Sequence, residues 1–223
     1  MTELTHSYSS IKMFENCPLR YYEQRVKKSV VDPGGEASKH GERIHKFIED
    51  RLRTSQLMPQ EMATYEPLVR SVEQLAEGNN LFVEHEVTIN KSMQPTGWWD
   101  ADAWLRSKLD ILIVHGEGST KALVMDWKTG KRRADPFQLQ LFAAQVFTHF
   151  PTVQEVKTTL VWLKENALDS NQYRRSQAPA LWEDTLSRIA RIEAADSKNV
   201  WPAKPSGLCN YCPCKQFCDY AKR

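Results

Sequence analysis

No apolar run in the 223-residue sequence approaches the roughly 18 residues that a membrane span requires. The polar start shows none of the character of a secretory leader, so the expected location is cytoplasmic, without a membrane partner. Net charge is scarce too: 30 basic against 28 acidic residues leave a formal +2, which confines any polyanion site to local patches. Three such patches are "RVKK" at 25–28, "KRR" at 131–133 and the pair Arg174 and Arg175. Repeats, low-complexity tracts and a P-loop are all missing, which excludes a solenoid and a built-in helicase motor. Five cysteines without a leader exclude a disulfide scaffold and leave thiols, metal ligands or redox chemistry.

What remains suits one globular domain, 1–223, with 41% hydrophobic residues to build a core. Residues 9–25 predict a serine-capped amphipathic helix that Pro18 kinks; residues 37–52 and 60–77 predict two more, completing a helical part over 1–80. From 81 the period changes to two. "LFVEHEVTI", "WWDADAWL", "KLDILIV" and "KALVMDWK" predict antiparallel strands, the last two joined by "GEGS" at 116–119. Asp135 and Pro136 then open a helix to 150, followed by the strand "VKTTLVWL", so 81–165 holds the sheet and a crossover helix. A helix at 180–195 and a cysteine-rich tail complete 166–223. This order predicts a mixed α/β class.

Two acids stand in apolar strands: Asp110 within "KLDILIV" and Asp126 at the end of "ALVMD". An unpaired buried charge costs several kcal/mol, so each needs a partner. Side chains alternate along a strand, which puts Asp126 and Lys128 on one face. One reading is a structural salt bridge. The other is a divalent cation held by hard carboxylate oxygens, with the ammonium beside a phosphate.

The ordered set "HGERIHKFIE" (40–49), Asp110, "MDWKTGK" and "QLQLFA" (138–143) resembles the PD-(D/E)XK nuclease superfamily, within it the RecB and AddB nuclease domains and their CRISPR-associated relatives. The resemblance implies a restriction-endonuclease-like fold, a central mixed sheet flanked by helices. It also implies that His45, Asp110, Asp126 and the Trp127 carbonyl bind Mg²⁺ or Mn²⁺, that Lys128 activates water, and that Gln138, rather than Gln140, positions the lysine or the substrate. Asp110, Asp126, Lys128 and Gln138 are thus the implied catalytic set. Two departures are Phe142 in place of a tyrosine and Ser107 where a glycine often precedes the acid.

Cys209, Cys212 and Cys218 form C-x2-C-x5-C, with Cys214 inside the longer gap, a spacing that grips a metal or a cluster and asks for a fourth ligand. Cys214 and Cys17 are the candidates. Resemblance to the AddB and CRISPR-associated branch implies Cys17 and a 4Fe-4S cluster in an iron-sulfur subdomain; Zn²⁺ on the same sulfurs is the alternative. Such a link would contribute roughly 4 to 5 kcal/mol by closing a long loop.

The resemblance further implies a DNA exonuclease acting on single-stranded DNA or DNA ends, with any unwinding left to a helicase, recombination or replication partner. Lys131, Arg132 and Arg133 are candidates for holding phosphates, or else a solvated turn. Tyr21, Tyr22 and the tryptophans Trp98, Trp99 and Trp104 are candidates for base stacking, or else core. The competing functional readings are a non-catalytic DNA-binding or assembly module and a zinc-binding interaction protein.

Overall fold

The alternating pattern that begins near residue 81 becomes a five-stranded sheet. In the computed structural model, which describes residues 4–222 apart from 117, 119 and 134, the strands are β1 (Asn80–Ile89), β2 (Leu105–Val114), β3 (Lys121–Lys128), β4 (Glu155–Trp162) and β5 (Ala167–Arg174), ordered as they run in the chain. The first three are antiparallel, β3 and β4 are parallel, and β5 returns antiparallel. The parallel step needs a crossover, which helix α5 (Pro136–His149) supplies with proline in its first turn.

Each face of the sheet carries its own core. Leu139, Phe142, Val146 and Phe147 of α5 pack with Leu109, Leu112, Val124 and Leu160. On the opposite face, Ile44 and Ile48 of α3 (Glu36–Thr54) and Val69 and Val72 of α4 (Glu66–Ala76) pack with Ile111, Ile113, Met125 and Trp127. Buried Arg51 fixes α3 to α4, with Nη1 2.8 Å from Glu73 and Nε 3.2 Å from Glu66. Bonded at Nε and at both Nη atoms to two carboxylates, this charge is compensated rather than orphaned.

The chain divides into two compact units, Gly34–Trp182 with the sheet, and a smaller one that joins the two ends, Met1–Pro33 and Glu183–Arg223. In the smaller unit, α1 (Tyr8–Asn16) begins at a capping box between Ser7 and Ser10. Cys17 then turns extended (φ −163°, ψ 107°) ahead of Pro18, the conformation that proline favours in its predecessor, and α2 (Pro18–Tyr21) starts afresh. The predicted kink is thus a full break, with Cys17 at the corner. Most of α6 (Ala178–Lys198) belongs here, as do three short 3₁₀ turns that carry the cysteine tail. No helix among the described residues is long and apolar enough to cross a membrane.

Two expectations fail. "WWDADAWL" is a loop up to Leu105, because Asn90, Thr96, Asp100 and Asp102 hydrogen-bond one another and divert the chain from the ladder. β5 is unpredicted: its sequence "ALDSNQYR" is polar and largely exposed, as an edge strand can be. The predicted "GEGS" turn lies partly outside the described residues, at 117 and 119.

Candidate active site

The β2–β3 ladder ends at Ile111 opposite Met125, so Asp110 and Asp126 are the next opposed pair, where the strands part. On β1, pairing runs through Val83 with Ile111 and His85 with Leu109, leaving Glu84 opposite Asp110. The alternation slips at this point. Leu81 and Val83 pack toward α3 and Val87 toward α5; likewise Ile111 and Ile113 face α3 but Leu109 faces α5. Glu84 absorbs the slip with a left-handed backbone (φ +51°), a conformation that costs a non-glycine residue about 1 to 3 kcal/mol. The result turns Glu84 and Asp110 together toward His45 on α3.

Asp110 Oδ2 accepts the Trp127 N–H at 2.7 Å and lies 3.4 Å from His45 Nδ1. The other ring nitrogen of His45, Nε2, is 3.1 Å from the Trp127 carbonyl oxygen, to which it donates. A neutral ring in that tautomer would aim its Nδ1 lone pair at a carboxylate oxygen, so a proton or a cation must lie between them. Burial pulls the His45 pKa down, but the hydrogen bond and charge of Asp110, aided by Asp126 and Glu84, outweigh it and raise the value. Among the described residues, ligand atoms of His45, Glu84 and Asp110 all lie within 4.8 Å of one another. Imidazole with two carboxylates suits a divalent ion.

Asp126 stands just outside that group and faces α5. Its Oδ1 accepts from Gln138 Nε2 at 3.0 Å, and Lys128 Nζ is 2.6 Å from its Oδ2. The structure therefore brings the sequence-predicted residues together as two neighbouring sets, His45 with Asp110 and Asp126 with Lys128 and Gln138. Glu84, which joins the first set, was missed. Its signal lay in register, opposite Asp110, and not in spacing. Gly41 lets α3 approach this strand end: a Cβ there would lie 2.6 Å from Thr129 Oγ1. A cavity of about 410 Å³ opens beside His45, Glu84, Glu49 and Thr129.

Burial, then the charge of Asp110, push the Asp126 carboxyl up to about 6 against the pull of Lys128. An unfolded aspartate ionises near 3.9, so between about pH 4 and 6 the folded state holds the extra proton and stability falls as pH rises. In EDTA, Asp126→Asn should match the parent at pH 4 and exceed its stability by about 1 to 3 kcal/mol at pH 8. Urea unfolding at both pH values checks this; a less stable variant at pH 8 contradicts the sign.

Of the candidate DNA contacts, Arg132 is engaged by Asp169 and Glu165, and only Lys131 and Arg133 remain as exposed neighbours. Tyr21 is 1% exposed and stacks on Trp201 with centroids 5.8 Å apart, so it offers no face to a base. Tyr22 stacks on the same indole at 5.4 Å. In the smaller unit, Cys17, Cys209, Cys212, Cys214 and Cys218 line one cavity of about 60 Å³. Backbone N–H groups of Lys204 and Ser206 donate to Cys17 Sγ at 3.5 Å and Cys209 Sγ at 3.2 Å. Burial, then neighbouring Cys212, push the Cys214 thiol up to about 12.

Strand order, a crossover helix between parallel neighbours and acids at the parting of β2 and β3 define the restriction-endonuclease-like class. The profile of the PD-(D/E)XK nuclease superfamily matches residues 5–219, and the chain belongs to that superfamily. No curated protein matches the sequence. Among solved structures, a protein from Eubacterium rectale provisionally named an exonuclease is similar, with TM-score 0.51 and 12% identity over 93% of this chain and 86% of that one. SSO0001 is also similar, with TM-score 0.40 and 15% identity over 99% of this chain and 89% of that one.

Proposed function

We propose that the protein is a divalent-metal-dependent deoxyribonuclease, an exonuclease of the RecB/AddB and CRISPR-associated type that acts on single-stranded DNA or DNA ends. The observation that supports this best is the facing of His45 Nδ1 and Asp110 Oδ2, with Glu84 alongside, a donor set that suits Mg²⁺ or Mn²⁺. His45, Asp110 and Glu84 would hold the ion, with Asp126 and the Trp127 carbonyl at its border. The ion, when bound, supplies a Lewis acid for a phosphate oxygen and lowers the pKa of coordinated water. Lys128 places an ammonium next to the phosphate, where developing negative charge is stabilised. Gln138 holds Asp126, and through it Lys128, in position. Digestion of duplex beyond frayed ends would require a helicase or replication partner.

The smaller unit, in this reading, holds a 4Fe-4S cluster on Cys17, Cys209, Cys212 and Cys218. Thiolates that accept backbone N–H bonds are the usual surroundings of such clusters, and Cys17 and Cys209 accept them here. Zn²⁺ on the same four sulfurs is the alternative, and metal analysis of the purified protein separates the two. The C-x2-C-x5-C spacing of Cys209, Cys212 and Cys218 passes over Cys214, which this reading leaves out of the ligand set.

End-labelled single- and double-stranded DNA incubated with Mn²⁺, Mg²⁺ or EDTA tests the catalytic reading. Metal-dependent shortening of the single strand is expected, and its loss in Lys128→Ala with Mn²⁺ binding retained. Full activity in EDTA, or in Lys128→Ala, refutes it.

A further inference from the structure

The loop of residues 90–104 is tied by its own hydrogen bonds. Asn90 Oδ1 accepts the N–H groups of Ser92 and Gln94 at 3.0 and 3.1 Å, and its Nδ2 donates to Asp102 at 3.0 Å. Asp100 Oδ2 accepts the Gly97 N–H at 2.7 Å, and a Cβ on Gly97 would lie 2.8 Å from that carboxylate. At the tip of this tied loop Trp99 is 85% exposed. Single exposed apolar residues are common and need no ligand. Here, however, the Arg106 guanidinium lies 5.5 Å from the Trp98 ring centroid and 5.7 Å from that of Trp99, so a cation and two indoles form one surface.

That surface is aligned with the active site. Arg106, Lys108 and Asp110 alternate onto one face of β2, and the 2.9 Å contact of Lys108 with Glu84 places this face with the His45 group. Asp110 lies four strand positions beyond Arg106, about 13 Å. A stacked strand covers that distance with about four nucleotides, an extended one with fewer. Cations along a strand, a flat aromatic face at one end and hydrolytic carboxylates at the other suit a polyanion with exposed rings.

We propose that Trp98, Trp99 and Arg106 form a stacking platform for unpaired bases of the strand being cut, which sets the spacing between the first held base and the scissile phosphate. The proposal rests on the nuclease reading above and deepens it. It makes selection for single strands a property of the β1–β2 loop, since paired bases keep their faces hidden.

The test measures binding of fluorescein-labelled oligothymidylate in EDTA, where no strand is cut. Trp99→Ala should weaken binding by about 5- to 150-fold, the range for loss of one base–aromatic stack, and Trp99→Phe should recover most of it. An abasic site scanned through the four nucleotides next to the cleaved bond should weaken wild-type binding at one position and leave Trp99→Ala unaffected there. Unchanged affinity in Trp99→Ala, or equal abasic effects in both proteins, overturns the platform. Cleavage of a short oligonucleotide with Mn²⁺ is read separately: retained cleavage without the abasic signature sinks the platform alone, whereas absent cleavage with the signature intact sinks the catalytic assignment alone.

Discussion

Asp110→Asn is expected to lower DNA hydrolysis by about a thousandfold or more and to weaken Mn²⁺ binding at least tenfold, while the protein remains folded. The side chain is 7% exposed, and one of its oxygens both accepts the Trp127 N–H and faces His45. Asparagine keeps the volume and a carbonyl that accepts the same N–H, so the parting of β2 and β3 survives. The charge is lost. Of the proposed ligands it is the one that touches both sets, since it faces His45 and Glu84 on one side and opposes Asp126 on the other. Calorimetric titration with Mn²⁺ separates the two losses: Asp110→Asn should forfeit both affinity and activity, Lys128→Ala activity alone. Unaltered Mn²⁺ affinity in Asp110→Asn would show that the ligand set is drawn wrongly.

The contrast also shows which parts of the site lay open in the sequence. β3 was legible to the residue, because an apolar run closing on Asp126 and Lys128 has no other economical reading, and α5 was legible from Asp135 and Pro136 ahead of a dense apolar face. Gln138 followed from its motif and does bond Asp126. Glu84 did not follow. In "LFVEHEVTI" it looks like one of two glutamates on a wet face, and only the left-handed residue at 84, which reverses the alternation of β1, turns it inward. A period-of-two argument assumes an unbroken pleat and fails wherever the pleat is broken. "WWDADAWL" deceived for a related reason: its alternation is real, but Asp100 and Asp102 serve the loop's own hydrogen bonds and no sheet face. Tyr21 shows the limit of composition, since nothing local distinguishes a tyrosine stacked on Trp201 in the core from one awaiting a base.

Cys209→Ala is expected to cost the protein its iron and roughly 4 to 5 kcal/mol of stability in the smaller unit, the loop-closure contribution of a link between two distant segments. That unit is built from the two ends of the chain, and its tail is poor in core: Leu208 is 66% exposed and Tyr211 83%, and the tail cysteines sit on or beside 3₁₀ turns of three or four residues. Such short turns do not hold themselves together, and in the proposed reading ligation supplies what burial does not. Anaerobically purified protein should absorb in the visible and contain iron; Cys209→Ala should lose both, unfold at lower denaturant and expose the tail to protease. Cys214→Ala should keep its iron, because Cys214 lies inside the longer gap of C-x2-C-x5-C and outside the proposed ligand set. If the parent yields one zinc per chain and no visible absorption, the sulfur site is a zinc site. If Cys209→Ala retains full iron, Cys209 is not a ligand and the sulfur set is drawn wrongly.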